Sequence, residues 1–182
     1  MLRLLVPLLW LSMSASFTDA SFAADSSQQF RNIRKQPDPA NNRGWYIPES
    51  APTVVETPAF YLYFGKGERG LLTALRLKVV YSGKQPLGVR QFWANADGKQ
   101  LISFPTARWE SEQVNRVWEW IDAPIDNVRQ VHDLLTLAAA RQGTIYFSGT
   151  HGKFRVVLNQ EQKRALRDVI AAYQASGGNL SW

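Results

Sequence analysis

The sequence predicts an α+β domain, a largely antiparallel sheet of six or seven short strands with two amphipathic helices late in the chain. Three observations predict it. Apolar and polar residues alternate in short runs between residues 59 and 121. Turn dipeptides such as Ser82-Gly83 and Asp97-Gly98 separate those runs by hairpin distances. Helical spacing of apolar residues appears only later, over 127–141 and 160–175.

The elements follow in order. AFYLYF (59–64) reads as an apolar strand, and TALRLKVVY (73–81) alternates Leu75, Leu77 and Val79 with Arg76 and Lys78 on the other face. SGKQP turns the chain into LGVRQFWAN (87–95); Asp97-Gly98 then returns it as QLISF (100–104). NRVWEWI (115–121) puts Val117, Glu119 and Ile121 on one face and Trp118 and Trp120 on the other. The first helix is expected to be capped by Asp126 and to bury Val128, Val131, Leu134, Leu135 and Ala138, with Gly143 closing the segment. TIYFSG (144–149) and KFRVVL (153–158) form a hairpin around GTHG. Asn159 and Gln162 form a capping box for the last helix, which buries Leu166, Val169, Ile170 and Tyr173, turns Lys163, Arg164, Arg167 and Asp168 elsewhere, and stops at Gly177-Gly178.

This places a single domain at 59–178, with a tail at 179–182. Ahead of it, 24–58 holds five prolines, many Ser, Asn and Gln, and no sustained periodicity, so it reads as an extended leader or linker. Its Trp45 and Tyr46 gain most by docking on the adjoining domain. Residues 1–23 have the order of a signal peptide: Arg3, an apolar stretch from Leu4 to Leu11, then small residues that allow cleavage after Ala23, or after Ala20. The apolar stretch is far short of the ~20 residues of a spanning helix, and no later segment is longer, so no transmembrane segment is expected in the mature chain. The expected location is the periplasm. The chain has no Cys, which excludes disulfides and a lipid-bearing cysteine and points to a soluble, non-lipidated product.

Loss of residues 1–23 removes Arg3 and Asp19, leaving a net charge of +6. A basic protein favours anionic partners. For an exported one these are an envelope protein or an anionic glycan rather than nucleic acid.

Chemistry-bearing patterns are sparse. FGKGERG (64–70) has the G-x-G-x-x-G spacing of a phosphate loop, but it runs into strand alternation instead of a helix, and no acid stands near residue 90. Gly65, Gly67 and Gly70 therefore read as a hairpin or wide turn. His132 and His151 match no metal-ligand spacing, and no metal or other cofactor is expected. Ser148 lies near His151, yet G-x-S-x-G is absent. Among Glu110, Glu112, Glu119 and Asp122, Glu119 is the carboxylate that must pair or shift its pKa, since it shares an apolar strand face; a salt bridge to an arginine is the expected outcome. An alternative reading makes Glu119 and Asp122 the carboxylates of a hydrolase acting on an envelope polymer. The preferred reading is a non-enzymatic binding module that uses aromatic and basic residues, Trp118, Trp120, Trp93, Arg90, Arg116 and Trp45, because rings beside cations stack on sugars and grip anionic polymers. The competing role for Trp118 and Trp120 is burial in the core.

The stretch W-E-W-x-D-x-P at 118–124, the strand TIYFSG, the hairpin after it and the helix K-x-A-L-x-x-V-x-x-A-Y at 163–173 together resemble a domain of exported proteins and lipoproteins of Gram-negative bacteria to which no activity is attached. The resemblance spans about a third of the chain. It departs at the hairpin, where this chain has Thr150, His151, Gly152 and Lys153 in place of aromatic or acidic residues. It implies a periplasmic location and lends no catalytic residues.

Overall fold

A computed structural model describes residues 30–53, 56–101, 108–113 and 115–180. The segment read as a signal peptide and most of QLISF lie outside the described residues. Among these residues ten strands and two α-helices form: β1 (Ile33–Asp38), β2 (Arg43–Pro48), β3 (Ala59–Gly67), β4 (Arg76–Gly83), β5 (Val89–Ala96), β6 (Lys99–Gln100), β7 (Glu110–Gln113), β8 (Val117–Pro124), α1 (Val128–Ala139), β9 (Gly143–Gly149), β10 (Gly152–Leu158) and α2 (Gln160–Ala175). Every strand pairing is antiparallel. One sheet has the order β1-β2-β3-β4-β8-β7 and the other β10-β9-β5-β6. The α+β class with an antiparallel sheet is thus the observed one, divided between two sheets.

The alternation read from the sequence sets the faces. Phe60, Leu62, Phe64, Leu77, Val79 and Ile121 point inward from the six-stranded sheet and are buried. At one end the α2 side chain Tyr173 meets Phe64 edge-on at 5.4 Å. At the other, Phe60 meets Phe92 of the second sheet at 6.4 Å, and Tyr81 meets Phe147 at 6.2 Å. The two helices and both sheets so enclose one apolar cluster.

Several expectations are corrected. Residues 33–48, read as leader, form the β1–β2 hairpin, which pairs with β3 through Arg43–Gly67, Gly44–Lys66, Trp45–Gly65 and Tyr46–Phe64. Tyr46 stacks on Phe64 at 5.0 Å with rings 3° from parallel. The hairpin was hidden because its strands are polar and mostly half-exposed, with Pro37 tolerated on the edge strand. β7, the sequence ESEQ, is exposed throughout and had no apolar period to reveal it. Leu180, assigned to a tail, is buried.

The helix ends are corrected by a residue or a side chain. Asn127, not Asp126, caps α1, accepting from the Gln130 amide at 3.0 Å, while Gln130 Oε1 accepts from the Asp126 N–H. The capping box of α2 forms as expected, Asn159 and Gln162 each bonding the other's backbone amide. Lys163, placed away from the core by sequence, is only 2% exposed. Its ammonium donates to Ala140 O at 2.8 Å and Arg141 O at 3.0 Å, where the carbonyls at the end of α1 attract a cation.

The Asp97-Gly98 hairpin turn is present, with φ of 49° and 85° at the two positions, the left-handed pair that a two-residue hairpin requires. Asp97 also accepts from the amides of Gln142 (2.8 Å) and Arg141 (3.1 Å), which hold its carboxyl below the ordinary 3.8. Because the folded pKa is the lower one, this contact stabilises above the ordinary value and is lost as pH falls through the folded value. Asp97→Asn is expected to lower stability at neutral pH, with the gap to the wild type closing below pH ~4 in denaturant titrations at a series of pH values. Tyr46→Ala, which would be silent in a leader, is expected to cost about 2 kcal/mol in the same unfolding assay.

Candidate binding face

In an antiparallel pair, residues directly opposite share a face, so the register assembles the outer surface of the six-stranded sheet row by row. One row is Ala59, Val80, Trp120 and Glu110; the next are Tyr61, Lys78 and Asp122, then Tyr63, Arg76 and Pro124. Trp118 lies opposite Ser82 and Glu112, and Trp45 opposite Gly65. Five aromatic rings thus occupy one face: Trp45, Tyr61, Tyr63, Trp118 and Trp120, all half-buried. Trp45 lies 5.4 Å from Tyr63, and Tyr63 6.1 Å from Tyr61. Lys78 sits 5.4 Å over Trp120 and Arg43 5.3 Å over Trp45.

Asp122 organises the centre of the face. It receives Arg76 Nε at 2.7 Å, Lys78 Nζ at 3.4 Å and the Tyr63 hydroxyl at 2.5 Å. Burial and the bond to Asp122 raise the Tyr63 pKa, and burial followed by the charge of Asp122 raises that of Tyr61. Both phenols stay neutral donors across the physiological range. Arg116 reaches Ser82 Oγ at 3.3 Å beside Trp118, whose buried indole N–H has no hydrogen-bond partner among the described residues.

The glycine motif is explained by the same face. Gly65 leaves room for Trp45, since a Cβ there would fall 3.0 Å from the indole and 2.9 Å from Thr73. Gly70 supplies a φ of 77° for the β3–β4 turn. The amides are already engaged: Gly65 N with Thr73 Oγ1, Gly67 N with Leu71 O, and Gly70 N with Gly67 O. No phosphate cradle is left; Gly70 lies in the turn as expected, whereas Gly65 and Gly67 belong to β3, which continues past the AFYLYF run because both pair with β2. The turn also walls an open cleft of about 400 Å³, whose charged lining (Lys35, Asp38, Arg43, Lys66 and Glu68) is mixed in sign and selects no single class of ligand.

Sequence reasoning grouped six residues, and the structure separates them. Trp45, Trp118 and Trp120 share the outer face, with Arg116 at its margin. Trp93 instead stacks on Tyr146 at 5.4 Å, 6° from parallel, in the second sheet, where Arg90 is exposed at an irregularity between Val89 and Gln91. Tyr61, Tyr63, Arg76 and Lys78 were read as strand residues and missed as members of the face; their signal was the alternation of tyrosines at i, i+2 opposite a basic strand face.

Glu119 points the other way. It is 4% exposed and pairs with no arginine among the described residues: Oε1 accepts from the amides of Leu87 (2.6 Å) and Gly88 (2.9 Å), and Oε2 from that of Val89. Three successive amides entering β5 take the place of the expected salt bridge. Glu119 and Asp122 therefore face opposite sides of β8, each occupied by structural partners. His132 is exposed beside Asp133, and His151 is exposed in the β9–β10 turn.

No protein-family model, no curated protein and no solved structure matches this chain.

Glu119→Gln puts an amide NH₂ where only acceptors are wanted. It is expected to cost about 2–4 kcal/mol of unfolding free energy in urea; an unchanged value would mean that the three amide contacts do not hold the fold.

Proposed function

We propose that the chain is an exported periplasmic binding module that performs no chemistry on its ligand, and that the outer face of the six-stranded sheet holds an anionic glycan of the cell envelope. The observation that carries this reading is the convergence of Trp45, Trp118 and Trp120 with two tyrosines and a Lys78–Asp122–Arg76 ladder on one face. Aromatic rings offer flat platforms for the apolar faces of sugars, and tyrosine hydroxyls and cations at their margins meet hydroxyl and carboxylate groups. The ladder sets two cations against one carboxylate while Glu110 and Glu112 stand opposite Trp120 and Trp118, so the face itself is mixed in sign and the preference for an anionic ligand rests on the +6 charge of the chain. The resemblance to exported proteins and the signal-like first 23 residues support the location.

The alternative, a hydrolase using Glu119 and Asp122, gains no support: paired carboxylates must approach one bond from the same cleft, and these two lie on opposite faces.

The test is co-sedimentation of the mature chain with purified peptidoglycan sacculi and with a panel of acidic and neutral polysaccharides at rising salt. Binding to an acidic member, weakened by salt and about tenfold by Trp120→Ala with the fold retained, is the expected result. Trp120→Phe, which keeps a ring, is expected to recover most of it. Equal binding by Trp120→Ala, or no binding to any glycan, would overturn the reading.

A further inference from the structure

Among the described residues the two sheets end in four edges, and three are blunted against pairing. β1 carries Pro37, β6 is two residues long, and β7 is four residues long with Glu110 and Glu112. Proline, shortness and charge are the devices by which sheets avoid adding strands. The fourth edge, β10, is different. It runs seven residues without proline, pairs with β9 in unbroken register, and is exposed along nearly its whole length.

Its side chains alternate in kind. Phe154, Val156 and Leu158 point inward, and Lys153, Arg155 and Val157 outward. Across the sheet the inward row reads Phe92, Phe147, Phe154, and the last ring is still 36% exposed. The outward row reads Trp93, Tyr146, Arg155. Val157 is 52% exposed. Each row stops at β10 with a residue that one more strand would cover.

We infer that β10 is a docking edge for an extended acidic segment of a protein partner, which adds to the second sheet as a fifth strand. Main-chain hydrogen bonds along the side of β10 that no described residue pairs with supply the pairing. An apolar residue of the partner completes the row ending at Phe154, and its acidic neighbours lie beside Lys153 and Arg155. A second copy of this chain is disfavoured in the two registers centred on Phe154 and Arg155. Antiparallel self-pairing centred on Phe154 sets Lys153 against Arg155, and centring on Arg155 sets arginine against arginine; like charges directly opposite oppose pairing. This edge lies on the other sheet from the aromatic face, so the inference is independent of the glycan reading.

The test uses the full mature chain and two blocked eight-residue peptides, one alternating glutamate with valine and one alternating lysine with valine, followed by fluorescence anisotropy. The glutamate peptide is expected to bind and the lysine peptide not. The double variant Lys153→Glu, Arg155→Glu, whose exposed positions leave the core untouched, is expected to lose at least about tenfold in affinity for the first and to gain affinity for the second. Isotope-edited amide infrared spectra of the labelled peptide should show strand signals on binding. Equal binding of both peptides, binding of neither, or a protein dimer in sedimentation that the double variant abolishes would each overturn the proposal.

Discussion

The fold depends on a carboxylate with no cation. Glu119 sits in β8, inside the six-stranded sheet, and is held by the amides of Leu87, Gly88 and Val89 at the entry to the second sheet. That entry is itself pinned: Gly88 takes a φ of 61°, Leu87 O and Gly88 O accept the amides of His151 and Thr150, and a Cβ on Gly149 would fall 2.6 Å from Gly88 O. One side chain therefore fastens β8, the start of β5 and the β9–β10 hairpin. It also fixes register. A slip of one residue would bring Trp118 and Trp120 inward and expose the glutamate, and three well-placed donors make that slip expensive. The outward aim of the tryptophans follows from the inward aim of Glu119.

Lys163 solves the converse problem in the same way. Its ammonium lies among apolar residues and is satisfied by the carbonyls of Ala140 and Arg141, where α1 ends. Thus the buried acid is answered by backbone donors and the buried base by backbone acceptors. Charges used like this join elements: one links the sheets, the other links the helices. Both charges are answered by backbone groups, so each serves as a fastener between elements.

Legibility in the sequence followed burial. Strands with one face in the core, such as 59–64 and 115–121, announced themselves by alternation, and the capping box of α2 by its Asn159-Gln162 spacing. The β1–β2 hairpin did not, because a strand that rests mostly on its neighbours needs no apolar period, and five prolines in its region imitate a linker. β7 gave no signal because nothing in it is buried. Lys163 and Asn127 show the limit at single residues: exposure of a lysine is the usual case, and two adjacent cap formers compete on equal terms until the helix geometry chooses. For the candidate face, the period of two already paired Trp118 with Trp120. Joining them to Trp45 required the order β2-β3-β4-β8, which no local pattern encodes, and the same missing order let Trp93 be grouped with residues from which a different sheet separates it.

An antiparallel sheet with one solvated face ordinarily turns polar residues outward on it. Here five rings do so, and part of their burial is mutual. Trp118 and Trp120 stand over Ser82 and Val80, each almost completely buried although it points away from the core. The rings thus shield the small residues beneath them as well as facing solvent, and neither task excludes the other, since a platform that is stiff before contact loses less entropy on contact. Asp122 completes the stiffness by holding Arg76, Lys78 and Tyr63 at fixed positions. Under the proposed binding role, a face whose rings and charges are already locked in place would meet its ligand by shape and charge, with little reorganisation to oppose it.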